Sequence, residues 1–166
     1  SRVGWQGSAG KDLYASFAVF FKLLIRAGIQ YFRQSIALLN PKDGSVIASY
    51  RTTTTDFCNC ATPAVSTDGR IFISHTGGDG STGLKFDGTS LAQEWNARDL
   101  GLLYNSGVPW GKNALMVFND SMRGVNEMRC LDLATGKDLW ESSEVDKGTA
   151  ILSDGHLIVL STKGEV

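Results

Sequence analysis

A chain of 166 residues, 42% of them apolar and 20% charged, is sized and balanced as one folded domain with a real core. Its net charge of −1 is spread over scattered lysines and arginines, which leaves no electrostatic footprint for nucleic acid or anionic lipid. Nineteen glycines against three prolines suit many tight turns between strands better than a helical bundle. No cleavable signal peptide is recognisable, and an opening at Ser1 leaves the compartment unread from that end.

The first segment differs from the rest. Residues 13–25 contain no Gly or Pro and are apolar almost all round, and Arg26 and Arg33 follow. The unbroken length predicts a helix of about 15–20 residues within 13–32. A membrane span needs about 20 apolar residues, and Lys22 interrupts this run. A buried or partner-covered helix is therefore favoured over a membrane-associated segment or a stretch without native meaning, and no membrane span is predicted. Residues 1–34 are set apart as an N-terminal segment.

From residue 35 to 166 the chain repeats. One set of turn glycines is Gly69 (Thr67-Asp68-Gly69-Arg70), Gly111 (Trp110-Gly111-Lys112-Asn113) and Gly155 (Ser153-Asp154-Gly155-His156), 42 and 44 positions apart. A second set is Gly44 (Lys42-Asp43-Gly44-Ser45), Gly88 (Phe86-Asp87-Gly88-Thr89) and Gly136 (Ala134-Thr135-Gly136-Lys137), 44 and 48 apart. Each joins two apolar strand-like runs, as where Ala150-Ile151-Leu152 turns into Leu157-Ile158-Val159-Leu160. Tight hairpin turns need positive φ, which Gly supplies, and a preceding Asp bonds back to the turn backbone. One period thus holds four short strands, A to D, with the first set closing A–B and the second closing C–D. Such a unit is a propeller blade. The expected fold is all-β: a partial propeller of about three four-stranded antiparallel blades after the N-terminal helix, which stands where the first A–B hairpin should be. Three blades cannot close a ring, so the flanks would be apolar and unpaired.

The stretch Cys130-Leu131-Asp132-Leu133-Ala134-Thr135-Gly136-Lys137-Asp138-Leu139-Trp140 resembles the quinoprotein (PQQ-like) propeller repeat, Ala-x-Asp-x-x-Thr-Gly-x-x-x-Trp. Asp132, Thr135, Gly136 and Trp140 match it. The unit around Gly44 is looser, with Asn40 for Asp and Ala48 at the Trp position. The unit around Gly88 places Ala92 there, with Trp95 three residues later. The resemblance implies that Trp140 packs between neighbouring blades and that Asp132 with Thr135-Gly136 fixes the C–D turn. The order Cys58-Asn59-Cys60, then Arg129-Cys130-Leu131-Asp132, then Lys147-Gly148-Thr149 is similar to a broad group of bacterial PQQ-like propellers. Neither a Gly-His start nor a Trp-Asp end points to WD repeats.

Quinoprotein dehydrogenases hold their quinone on a Trp floor beside Ca²⁺, commonly with two adjacent cysteines. Here Asn59 separates Cys58 from Cys60, and no Ca²⁺ cage of six to eight oxygens can be placed. On a strand these cysteines share a face with Cα atoms about 6.5–7 Å apart, at the edge of disulfide reach. Small buried thiols are the favoured reading, over a disulfide or a metal site using Cys130 and His75. The Gly-rich run Thr76-Gly77-Gly78-Asp79-Gly80-Ser81-Thr82-Gly83 lacks the Gly-Lys-Ser/Thr ending of a phosphate loop and reads as a B–C blade loop. His75 and His156 have no local acid and no Gly-x-Ser-x-Gly elbow accompanies them, so a Ser-His-Asp hydrolase is unsupported. Trp110 at its hairpin is a recognition aromatic or a packing residue.

No catalytic or metal residue is predicted, and no cofactor-binding residue is assigned. The leading expectation is a non-catalytic scaffold similar to the propeller-type outer-membrane assembly lipoproteins. Its partner is another protein or the remaining blades of a parent propeller, not nucleic acid. By resemblance it sits in the periplasm or cell envelope. The alternatives are a fragment of a PQQ- and Ca²⁺-dependent alcohol or sugar dehydrogenase, and the sensor domain of a larger signalling protein.

Overall fold

A computed structural model describes residues 16–21, 26–31, 34–52, 59–75, 80–103, 105–120, 126–145 and 147–166. These form strands only, arranged in chain order as antiparallel sheets. The first sheet holds β1 (Ser16–Phe21), β2 (Arg26–Tyr31), β3 (Ser35–Leu39) and β4 (Val46–Arg51). The second holds β5 (Ala64–Val65), β6 (Arg70–Ser74), β7 (Ser81–Phe86) and β8 (Leu91–Ala97). The third holds β9 (Val108–Trp110), β10 (Ala114–Asn119), β11 (Glu127–Asp132) and β12 (Asp138–Ser142). The fourth has two strands, β13 (Gly148–Ser153) and β14 (His156–Ser161). The molecule is a partial β-propeller of three four-stranded blades and half of a fourth.

The helix expected within 13–32 is overturned where the structure describes that segment. Ser16–Phe21 and Arg26–Tyr31 are strands, paired antiparallel with Ser16 opposite Tyr31, and β2 pairs onward to β3. Ala27, Ile29, Tyr31 and residues 36–39 are buried, so these central strands are apolar on both faces. Strands covered on both faces read as continuous apolar runs, which periodicity does not separate from a buried helix. Two short strands in succession imitate the length of one helix, and no Gly, Pro, Asn or Asp marks a turn between them. The remaining positions of the expected helix, 13–15, 22–25 and 32, lie outside the described residues.

All six turn glycines of the two sets have positive φ, from 69° at Gly111 to 115° at Gly88. At the β13–β14 turn both central residues do, Asp154 at 47° and Gly155 at 74°, as a two-residue type I′ hairpin requires. Asp132 Oδ1 accepts from the backbone N–H of Ala134 and Thr135 and from the Thr135 hydroxyl. Asn40 Oδ1 accepts from the Lys42 N–H at the equivalent turn.

The third and fourth strands of each complete sheet carry the same register break, at Leu38/Leu39, Gly83/Leu84 and Cys130/Leu131. The repeat is therefore a register of bulges as well as turns. Just before the break Leu38 faces Ala48, Gly83 faces Trp95 and Cys130 faces Trp140. Trp95, not Ala92, thus holds the repeat-Trp position of the second blade. Its partner lies twelve residues back rather than the ten of the other two blades, because this hairpin is longer.

The core lies between sheets. One cluster joins the first two, with Ile29, Tyr31, Ile36 and Leu38 against Ile71, Ile73, Leu84, Phe86 and Leu91. A second joins the second and third, with Phe72, Trp95, Leu100 and Leu102 against Leu115, Val117, Leu131 and Leu133.

Candidate functional site

Trp95 shows how one blade engages the next. Its indole Nε1–H donates to the Leu133 carbonyl at 2.9 Å, and the ring is buried. A Cβ on Gly83 would lie 2.2 Å from the indole, and one on Gly136 would lie 2.5 Å from its other side. The ring is thus held between a glycine of its own blade and the Thr135-Gly136 turn of the next. Phe72 adds a tilted ring contact at 6.1 Å.

Trp140 holds the same register position one blade later but is 38% exposed. Among the described residues β14 pairs with β13 alone, whereas each of the other sheets has four strands. Cross-strand pairing sets Ile151 beside Ile158 and Thr149 beside Leu160, which puts these four side chains on one face. Ile151 is 61% exposed, Leu160 45% and Ile158 42%. Leu139 on β12 is exposed as well. The fourth sheet thus presents an apolar face to solvent, and Trp140 on β12 is exposed separately.

The other sequence candidates are dispersed. Cys130 is a buried free thiol whose titration burial pushes up, and Cys60 is half-buried. Cys58 and the Thr76–Asp79 part of the Gly-rich run lie outside the described residues. Gly80 precedes β7 and its O accepts from the His75 N–H, whereas Ser81, Thr82 and Gly83, expected in the loop, are the start of β7, paired to β6. His75 is buried with Nδ1 at 2.6 Å from the Tyr31 hydroxyl, which also donates to Ser74 O. His156 is exposed at the β13–β14 turn and Trp110 is half-buried at the end of β9. Asp87 caps its turn by accepting from the N–H groups of Ser90 and Thr89, which hold its carboxyl well below the usual range.

No protein-family model matches the chain, and no curated protein matches it. Solved structures do. The chain is similar to BamB from Moraxella catarrhalis, at 16% identity over 87% of this chain and 46% of that one, with a TM-score of 0.58. It is similar to a europium-containing methanol dehydrogenase at 13% identity over 85% of this chain and 27% of that one, with a TM-score of 0.53. The fold is that of a β-propeller. The chain spans less than half the length of either structure.

A quinone and its metal need an exposed aromatic floor and several converging oxygen ligands. Among the described residues no three His, Cys, Asp or Glu side chains converge. Trp95 is closed between blades and Trp140 lies on an outer strand. Among the described residues no helix is long and apolar enough to cross a membrane. Sequence reading placed Ala92 at the repeat-Trp position that Trp95 holds, and did not single out the side chains of Ile151, Ile158 and Leu160 as exposed.

Proposed function

We propose that this chain is a non-catalytic propeller scaffold of the bacterial cell envelope. Its β13–β14 end binds a protein partner or the remaining blades of a longer parent. The observation that carries the reading is the exposed apolar face of Ile151, Ile158 and Leu160, with Trp140 on β12 a separate exposed indole. Each such side chain contributes about 1.5–3 kcal/mol when fully buried, so a cover over this face is strongly favoured. The β14 edge offers unpaired backbone groups that accept an added strand. The buried Trp95 gives the pattern for the contact, in which a turn with a glycine under the indole seats on Trp140. The repeat motif and the similarity to BamB support a role in the envelope.

The similarity to methanol dehydrogenase favours a second reading, a fragment of a quinone-dependent alcohol or sugar dehydrogenase. Titration with pyrroloquinoline quinone and Ca²⁺, with dye-linked alcohol oxidation followed in the same sample, separates the two. The scaffold reading expects no saturable quinone binding and no turnover. Tight Ca²⁺-dependent binding with turnover would replace it with the dehydrogenase reading.

A further inference from the structure

The end of the first two sheets where β4, β6 and β8 finish carries a polar cavity of about 230 Å³. Arg51 ends β4, Thr52 follows it, His75 follows β6 and Arg98 follows β8, and all four line the cavity with Tyr50 and Gln93. Among the described residues no Asp or Glu lines it. Two other arginines are neutralised: Arg70 pairs with Asp68 and Glu94, and Arg129 pairs with Asp99, Glu127 and Asp138. Among the described residues Arg51 and Arg98 have no carboxylate partner. Two uncompensated guanidiniums at one cavity repel each other unless an anion sits between them.

Thr52 supplies an independent observation. It is 4% exposed, and its Oγ1 makes no hydrogen bond although it is buried. Buried polar atoms are nearly always satisfied, so an orphan hydroxyl in a cavity wall marks the place of a missing partner. The neighbouring groups are held in place. The Tyr31 hydroxyl fixes the His75 ring at 2.6 Å. The Tyr50 hydroxyl donates to Gln93 Oε1 at 2.7 Å, which leaves the Gln93 NH₂ as a further donor. Among the described residues the wall therefore offers two guanidiniums, a hydroxyl and an amide, and no carboxylate.

We propose that this cavity binds the oxyanion head of a small ligand, a phosphate or a carboxylate. Guanidiniums bind both in forked, charge-assisted pairs. The cavity lies between the outer strands of two neighbouring blades, away from the β13–β14 face, so the proposal stands apart from the scaffold reading.

The test is calorimetry of the full chain at low ionic strength with inorganic phosphate and, separately, acetate, alongside amide NMR shifts. Saturable one-to-one binding of at least one anion is expected, with shifts centred on Arg51, Thr52 and Arg98. Saturation by phosphate alone assigns a phosphate-bearing ligand, and saturation by acetate alone assigns a carboxylate. Arg51→Gln and Arg98→Gln should each weaken binding about tenfold, and Thr52→Val should weaken it severalfold. Arg98 is exposed, so its variant remains informative should Thr52→Val fail to fold. Lys112→Gln, at the exposed β9–β10 turn, should leave the affinity unchanged. Failure of both anions to saturate overturns the proposal, as does equal weakening by Lys112→Gln and Arg98→Gln, which would reveal diffuse surface charge.

Discussion

Gly111 and Gly136 share a backbone conformation, with φ of 69° and 70°, but differ in what they face. A Cβ at Gly111 meets nothing within 4 Å, whereas one at Gly136 meets the Trp95 ring at 2.5 Å. The backbone strain of an alanine is the same at both, so the difference isolates the packing. Gly136→Ala should be less stable than Gly111→Ala by about 1–3 kcal/mol, the usual cost of overpacking. Chemical denaturation of the two variants checks this, and the gap should close in a Trp95→Ala background. Asp87 supplies a pH-dependent test at the same scale. Its folded pKa is depressed by the Ser90 and Thr89 backbone bonds, so its stabilisation is complete above the unfolded carboxylate value of about 4 and fades as pH falls through the lower folded value. Asp87→Asn should therefore be less stable than the parent at pH 7, with the gap narrowing as acid is added. Equal gaps at neutral and acid pH would remove the cap from the account. These turns were legible in the sequence because their chemistry is local: Asp132 meets Ala134 and Thr135 two and three residues on.

At the scale of strands, neighbours in space decide what the sequence leaves open. Ala48 stands at the register position of Trp95 and Trp140, yet its seam is filled, because Phe86 and Leu91 from the longer second-blade hairpin enter the same cluster. Restoring the repeat residue should therefore harm the fold. Ala48→Trp is expected to destabilise by about 1–3 kcal/mol through overpacking, and Phe86→Ala added to it should recover part of the loss. A stabilising Ala48→Trp in thermal denaturation would show the seam to be underfilled. The same longer hairpin hid Trp95, since counting forward from Gly88 reaches Ala92 and only strand pairing reveals the extra residues. The first hairpin was hidden by its composition, because β2, buried on both faces, lacks the alternation that marks a strand. The polar cavity was not legible at all. Arg51 and Arg98 come from different blades, and no local motif links them.

Across the whole molecule, two blade-to-blade seams are closed by apolar clusters, while the fourth sheet leaves Ile151, Ile158, Leu160 and Trp140 to solvent. Isolated two-stranded sheets are marginal in water, so stability should fall from β6 and β10 toward β13–β14. This gradient and the apolar face together make the fourth sheet the surface on which the scaffold reading depends. The most direct measurement is sedimentation of the full chain over a range of concentrations, with hydrogen exchange on the same samples. The account predicts concentration-dependent association and fast exchange in β13–β14 that slows as the chains associate. Ile151→Asp with Ile158→Asp should abolish association while keeping the β-sheet circular dichroism. A chain that stays monomeric at every concentration, with β13–β14 amides as protected as those of β6 and β10, would contradict it.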